Sequence, residues 1–176
     1  MTILIIILVV LALFVLITYN SLVSKKHKVA QARSSIDVYL NQRFDLIPNL
    51  VETVKGYAKH EKEIFEETIR LRTSYFNSKD LDEASLLNSK CNSILAIAEN
   101  YPELKANENF LSLQKSLSKM ENQLQAARRL YNIEVTDYNT KLNVVPTNII
   151  AKIFNFKEEK LFEIEEYKKE NIDINI

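Results

Sequence analysis

The residues most able to do chemistry in this chain are its two histidines, His27 and His60. His60 and Glu61 begin the His-Glu-x-x-His pattern of zinc proteases, but Ile64 stands where the second metal-binding imidazole is required. A di-iron bundle needs a glutamate three residues before each histidine, and neither histidine has one. The sequence therefore predicts no metal centre.

Other reactive side chains do not combine into a catalytic set. The acid pairs at residues 66–67 and 165–166 are adjacent in sequence, so the two carboxylates of each pair point to different faces of a helix. Gly56 is the only glycine, which leaves no glycine-rich loop for a phosphate or a dinucleotide. Cys91 falls on an apolar stripe and is expected to be a small buried thiol. We expect no cofactor and no enzymatic activity.

Several polar side chains lie within or near the predicted helix seams, where an unpaired charge is costly to bury. Arg128 and Arg129 stand beside Tyr131 and could pair with Glu61 or Glu99, or receive an anionic ligand. Two interpretations stay open for the whole set: contacts to a small ligand or peptide, or a buried network that fixes helix register. The candidate positions are Asn49, Glu52, His60, Glu61, Glu99, Arg128, Arg129 and Asn132.

The first element available to position these residues is an apolar stretch at residues 3–17, which contains no charge, glycine or proline. With its flanking residues it is long enough for a transmembrane helix. No basic residue precedes it and no small-x-small pattern follows, so a cleaved signal peptide is disfavoured. Its apolarity extends around the whole helix, which disfavours a core helix.

Basic side chains follow this stretch at once and predict its orientation. Under the positive-inside rule they keep the downstream domain in the cytoplasm and the N-terminus outside. We therefore expect a single-pass membrane protein. The residues expected at the lipid interface are Tyr19, Lys25, Lys26 and Lys28.

Charge and composition narrow the class of protein further. The 23 basic and 23 acidic residues balance, so no nucleic acid is expected as a partner. Residues 157–176 are acidic, and a lone cysteine excludes a disulfide framework. With one glycine and three prolines in 176 residues, the sequence predicts helices almost throughout.

Apolar periodicity defines the predicted helices. The anchor helix is expected to run on to Ile47, and its stripe keeps phase across Pro48, which favours a kinked helix over a chain reversal. Asp80 with Glu83 predicts the start of a second segment, as in a capping box. Asn107 is expected to cap a third segment, whose stripe alternates three and four over five heptads from residue 110 to residue 145.

Pro146 ends this stripe, and Thr147 is expected to cap a short helix through Phe154. The last twenty residues are predicted to form a further helix that frays at its end. The fold class is all-α: an N-terminal transmembrane helix continuing into a bundle of three to four long helices. The predicted divisions are a transmembrane anchor (1–19), a helical bundle domain (20–156) and an acidic C-terminal helix or tail (157–176).

Several stretches of this chain together resemble the LemA family, from the anchor to Phe156. The resemblance implies a protein of the bacterial inner (cytoplasmic) membrane, with an N-terminal helix and a cytoplasmic up-and-down antiparallel helical bundle. It implies no agreed reaction. A departure at residues 153–156, Ile-Phe-Asn-Phe, lacks the glycine expected there. The matching stretches are residues 19–23, 35–38, 43–61, 98–107 and 127–132, with Tyr138, Asn139 and Pro146.

Two functional hypotheses follow. The leading one is a membrane-anchored scaffold or adaptor that acts through helix–helix contacts, with the lipid bilayer and either a membrane protein or further copies of itself as partners. The alternative is a membrane-tethered sensor that binds a small ligand or peptide in a polar pocket of the bundle. An enzyme is the third and least favoured reading.

Overall fold

The computed structural model describes residues 1–58 and 60–162 of the chain. Within these residues the chain is helical almost throughout, as the scarcity of glycine and proline predicts, and the all-α prediction is confirmed. Four helices are long and three are short. They are α1 (Thr2–Asp45), α2 (Ile47–Lys55), α3 (Lys62–Ser78), α4 (Leu81–Ala98), α5 (Pro102–Lys105), α6 (Glu108–Asn143) and α7 (Thr147–Ile153).

The junction between α1 and α2 is a kink caused by Pro48. A single residue, Leu46, separates the two helices, and its backbone stays in the right-handed helical region. Pro48 has no N–H to donate to the carbonyl of Phe44 one turn earlier. The Nε of Arg72 donates to that carbonyl instead, at 2.8 Å. The predicted kinked helix is therefore confirmed.

The chain divides into two compact units whose boundaries fall inside α1 and α6. The terminal unit comprises Met1–Ser35 with Ala127–Ile176, and the central unit comprises Ile36–Ala126. The predicted division into anchor, bundle domain and tail is based on composition and not on contacts. The two compact units do not test it, and it stays a prediction.

Helices α3 and α4 of the central unit pack antiparallel. Glu67 of α3 pairs with Lys90 of α4 at 2.5 Å, and Ser74 of α3 donates to Glu83 of α4 at 2.6 Å. Later residues of α3 therefore contact earlier residues of α4. The side-chain oxygen of Asp80 accepts from two backbone amides of α4, which confirms the predicted cap. Glu83 does not complete a capping box, because its carboxylate accepts from serine hydroxyls instead.

The core of the central unit follows the predicted stripes, and Cys91 lies fully inside it. Burial raises the pKa of the Cys91 thiol to about 12, so the thiol stays protonated at neutral pH. One charge in this core was not predicted. Arg43 is only 3 % exposed; it forms an ion pair with Glu121 and donates to the side-chain oxygen of Asn92 at 3.3 Å.

In the terminal unit, α1 and α6 also pack antiparallel. Lys25 pairs with Asp137 at 2.9 Å, and Lys141 donates to the hydroxyl of Ser21 at 2.6 Å. The cap of α7 is Pro146, and the Thr147 hydroxyl donates to carbonyls at the end of α6, so the predicted Thr147 cap is wrong.

The predicted C-terminal helix is also wrong for residues 157–162, which form no helix. These residues run along α6 and bond to its side chains rather than to each other. Residues 163–176, which complete that prediction, lie outside the described part of the chain.

Candidate peptide-binding site

The candidate site is built from two Tyr-Asn pairs on α6. Tyr131-Asn132 and Tyr138-Asn139 are seven residues apart, which is close to two helical turns. The two pairs therefore lie on one face of α6, about 10.5 Å apart along its axis. Both tyrosine rings are buried, and both asparagines are half-buried. This face of α6 contacts residues 157–162, which we call the C-terminal segment.

Each asparagine forms two hydrogen bonds with the backbone of one residue in the segment. The Nδ2 of Asn139 donates to the carbonyl of Glu159 at 2.8 Å, and its Oδ1 accepts from the Glu159 amide at 3.0 Å. Asn132 repeats this pattern on Phe162, at 3.0 Å and 2.7 Å. A side-chain amide used in this way replaces the neighbouring strand of a sheet, and its contacts do not depend on the side chain of the residue it holds.

The tyrosines hold two further carbonyls of the segment. The hydroxyl of Tyr138 donates to the carbonyl of Lys157, and that of Tyr131 to the carbonyl of Lys160, both at 3.0 Å. Burial, with a smaller contribution from the charge of Glu159, raises the pKa of Tyr138. Its hydroxyl therefore stays protonated and able to donate through the neutral range.

The spacing of the four contacts has a geometric origin. A step of seven residues on α6 covers about 10.5 Å, and a step of three extended residues covers about 10 Å. Tyr138 and Tyr131 accordingly hold carbonyls three residues apart, and so do Asn139 and Asn132. The repeat on the helix therefore matches the repeat of an extended chain that runs antiparallel to it.

Two side chains of the segment make contacts of their own. The guanidinium carbon of Arg128 lies 4.7 Å from the centre of the Phe162 ring, a cation–π distance. The Nδ2 of Asn143 donates to the carboxylate of Glu158 at 2.6 Å. The site therefore contacts an aromatic side chain and an acidic side chain four positions apart, in addition to the backbone between them.

An open cavity of about 430 Å³ adjoins the segment, and its lining includes Asn139, Asn143 and Leu161. Leu161 is about half exposed. One side of the segment is therefore accessible to solvent, and the segment lies on α6 without being enclosed in a core.

The structure brings only two of the eight predicted polar candidates into this site. Arg128 contacts Phe162 and Asn132 holds its backbone. Sequence reasoning did not select Asn139, although the repeated Tyr-Asn pair on a helical stripe was a visible signal. The other six candidates are exposed: Asn49, Glu52, His60, Glu61, Glu99 and Arg129. Their exposure supports neither a ligand site nor a buried network at these positions.

The predicted interface residues lie in the first part of α1. The rings of Tyr19 and Phe154 pack with their centres 4.8 Å apart, and Lys26 and Lys28 are exposed. Lys25 instead forms an ion pair with Asp137. The hydrogen bond between them raises the pKa of Lys25 and holds the pKa of Asp137 below its usual value.

One helix in the described part of the chain is long and apolar enough to cross a membrane, and it begins at Thr2. Only 6 % of its most apolar window is buried. Side chains such as Ile3, Leu8 and Ile17 are more than half exposed, which no core helix of a water-soluble protein would show.

These features define an all-helical protein with an apolar N-terminal helix and a helix that holds an extended segment by its backbone. The chain belongs to the LemA family, whose family model matches residues 32–176. The resemblance seen in the sequence motifs is thereby confirmed.

Three curated relatives extend the comparison. The chain is 26 % identical over 160 residues to Protein LemA of Metamycoplasma hominis, an alignment that covers 88 % of this chain and 73 % of the relative. It is 23 % identical over 178 residues to Magnetosome protein MamQ 2 of Paramagnetospirillum magneticum, and 23 % identical over 177 residues to Magnetosome protein MamQ of Magnetospirillum gryphiswaldense. These two alignments cover 84 % of this chain but only 65 % of each magnetosome protein.

Proposed function

We propose that this chain is a membrane-anchored, non-catalytic adaptor that binds an extended peptide segment along α6. The observation that carries the proposal is the pair of two-way hydrogen bonds from Asn132 and Asn139 to the backbone of the C-terminal segment. Backbone contacts of this kind are how sheet edges capture peptides of varied sequence. The proposal joins the predicted adaptor role with the peptide-binding alternative.

The ligand that fits this site is an extended peptide with an acidic residue and, four positions later, an aromatic residue. Arg128 supplies the contact for the aromatic ring and Asn143 the contact for the carboxylate. Residues 157–162 satisfy this pattern and fill the site within the same chain. A ligand from another protein, or from another copy of this chain, must therefore compete with them.

This competition favours partners that share the membrane. A covalently attached segment has an effective concentration in the millimolar range, which a dilute soluble peptide does not reach. Confinement to one bilayer raises the local concentration of a second membrane protein in the same way. We propose the inner membrane as the location, with α1 crossing it once, the N-terminus outside and the domain in the cytoplasm. The basic residues after Tyr19 support this orientation.

The absence of catalysis is part of the proposal. Two observations support it: Cys91 is buried as a protonated thiol, and His60 is exposed. Among the described residues, no group of three or more His, Cys, Asp or Glu side chains is placed to hold a metal ion.

The test is a titration of the full-length chain in detergent with a fluorescent peptide that carries the sequence of residues 157–162. Phe162→Ala weakens the attached segment and is expected to tighten binding of the free peptide several-fold. Adding Asn132→Ala and Asn139→Ala should abolish that binding. Asn122→Ala, which changes an exposed asparagine elsewhere on α6, is the matched control and should leave it unchanged.

Two results would count against the proposal. One is the absence of saturable binding to the Phe162→Ala chain. The other is binding of equal strength whether Asn132 and Asn139 are present or replaced by alanine, since the peptide would then bind elsewhere.

A further inference from the structure

The terminal unit carries an apolar surface that its own packing leaves largely exposed. Val145, Ile149, Ile153 and Phe154 are 77 %, 56 %, 69 % and 47 % exposed, and we call these four residues the α7 face. The opposite side of α7 is already buried, through Ile150 and Ala151. The unit buries only one of the two apolar sides of this short helix. In water the other side would stay exposed without a partner.

The contacts between α1 and α6 give the position of this surface. Ser21 pairs with Lys141 and Lys25 with Asp137, so each step of four along α1 matches a step of four back along α6. Continuing the same register by two residues places the end of α6, at Asn143, level with Tyr19. The α7 face follows directly, where the apolar run of α1 ends.

Aromatic contacts confirm this level independently. The Tyr19 ring packs against Phe154 at 4.8 Å and against Phe156 at 5.8 Å between ring centres. Tyr19 is the first aromatic residue after the apolar run at residues 3–17. Clustered aromatic rings at the end of an apolar helix are typical of the boundary between water and lipid. The α7 face is thus continuous with the exposed apolar surface of α1.

The charges around this surface suit a lipid membrane. From Tyr138 to Phe156 the sequence contains no Asp or Glu, and its charged residues are Lys141 and Lys152. The next carboxylate, that of Glu158, accepts a hydrogen bond from Asn143 at the end of α6. Lys26 and Lys28 are exposed on α1, a few residues beyond Tyr19. Lysines beside an apolar surface attract anionic lipid headgroups, whereas carboxylates there would be repelled.

We propose that the α7 face inserts into the boundary between headgroups and acyl chains of the same bilayer that α1 crosses. The terminal unit would then contact the membrane twice, through a spanning helix and through a short interfacial one. The occupant of this surface is lipid, and a second copy of the chain is an alternative that the test distinguishes. The inference rests on the proposed membrane anchoring.

The test uses the full-length chain in vesicles of phosphatidylcholine and anionic phosphatidylglycerol, with an environment-sensitive fluorophore on single introduced cysteines. Two variants probe the α7 face, Ile149→Cys and Ile153→Cys. Ile133→Cys is the matched control, because Ile133 is an isoleucine 58 % exposed on α6, about 15 Å before its end. Phe14→Cys reports insertion of α1, and the unmodified chain, whose Cys91 is buried, gives the labelling blank.

Quenching by lipids brominated on their acyl chains and by aqueous iodide separates the outcomes. The probes at Ile149 and Ile153 are expected to lose several-fold intensity in brominated vesicles and to resist iodide, while the probe at Ile133 does the reverse. Probes on the α7 face that behave like the one at Ile133 would overturn the inference. Resistance to iodide without quenching by lipid would also overturn it, because a protein partner would then cover the surface.

The Phe14 probe separates failure of this inference from failure of the anchor. Lipid quenching at Phe14 without quenching at Ile149 and Ile153 rejects the second contact alone. No lipid quenching at Phe14 rejects the anchoring and, with it, the inference built on it.

Discussion

Asn139 and Glu159 are joined by two hydrogen bonds that run in opposite directions, from the asparagine amide to the glutamate carbonyl and from the glutamate amide to the asparagine oxygen. Both hydrogen bonds go to main-chain atoms of residue 159, so they do not depend on its side chain. Seven residues earlier on α6, Asn132 forms the same two hydrogen bonds with the main chain of Phe162. The site on α6 is therefore a ladder with a fixed repeat.

Removing one asparagine should release the residue that it holds. In Asn139→Ala the amide of Glu159 loses its acceptor, so its hydrogen exchange should accelerate by about 10- to 100-fold, the equivalent of two hydrogen bonds at ~1 kcal/mol each. In Asn132→Ala the amide of Phe162 should respond in the same way. Exchange measured by NMR checks both, with Asn122→Ala as control. Equal exchange in all variants would mean that these bonds do not hold the segment.

The kink at Pro48 should depend on Arg72. Arg72→Ala leaves the Phe44 carbonyl without its donor and should destabilise the fold by about 1–3 kcal/mol, a fall in Tm of several degrees. Arg70→Ala, an exposed arginine on the same helix, is the matched control and should change Tm little.

A double-mutant cycle tests the reason for that loss. Pro48→Ala restores an N–H that can donate to Phe44, so Arg72→Ala should cost less in the Pro48→Ala background than in the parent chain. Equal costs in the two backgrounds would show that Arg72 stabilises the fold in some other way.

The pair of Lys25 and Asp137 should make stability depend on pH. The pKa of Asp137 is lowered by its hydrogen bond to Lys25, so the contribution of the pair is present above pH 3.8 and is lost as the pH falls through the folded pKa. The pKa of Lys25 is raised, so the same contribution is lost again as the pH rises above 10.5 and through its folded pKa.

Asp137→Asn removes the carboxylate charge that shifts the pKa of Lys25 and that Lys25 stabilises. The Tm of this variant should lie below that of the parent chain between pH 3.8 and pH 10.5, and the difference should shrink in acid. Because the pair is exposed, the difference should be small. A Tm difference that stays constant as the pH falls through the folded pKa of Asp137 would contradict this account.

Regular periodicity made much of the fold predictable. The stripe of α6 alternates three and four over five heptads, so core residues such as Leu117, Leu124 and Val135 could be identified from sequence and are buried. The prediction is wrong at Val145, the last residue of the stripe, which is 77 % exposed because α6 ends at Asn143. The kink at Pro48 was predictable because the stripe keeps phase across it.

The candidate site was harder to predict because nothing in the sequence of the C-terminal segment indicates that it lies along α6. Residues 157–162 are rich in Lys and Glu, which favour helix, and the contacts that keep them extended come from side chains 19 to 30 positions earlier. The buried Arg43 was missed for a related reason: its partner Glu121 is distant in sequence, and nothing local marks the pair. Pairing across a sequence separation of this size leaves no trace in a window of neighbouring residues.

The measurement that tests the central claim most directly uses Phe162→Trp in the full-length chain, which otherwise contains no tryptophan. A tryptophan held over Arg128 should emit differently from one in a released, solvated segment. Titration with a peptide of residues 157–162 should shift the emission to the red until it saturates. The same chain with Asn132→Ala and Asn139→Ala should start red-shifted and stay unchanged. An emission that no peptide concentration alters, in a chain whose α6 asparagines are intact, would contradict the claim that this site exchanges peptide segments.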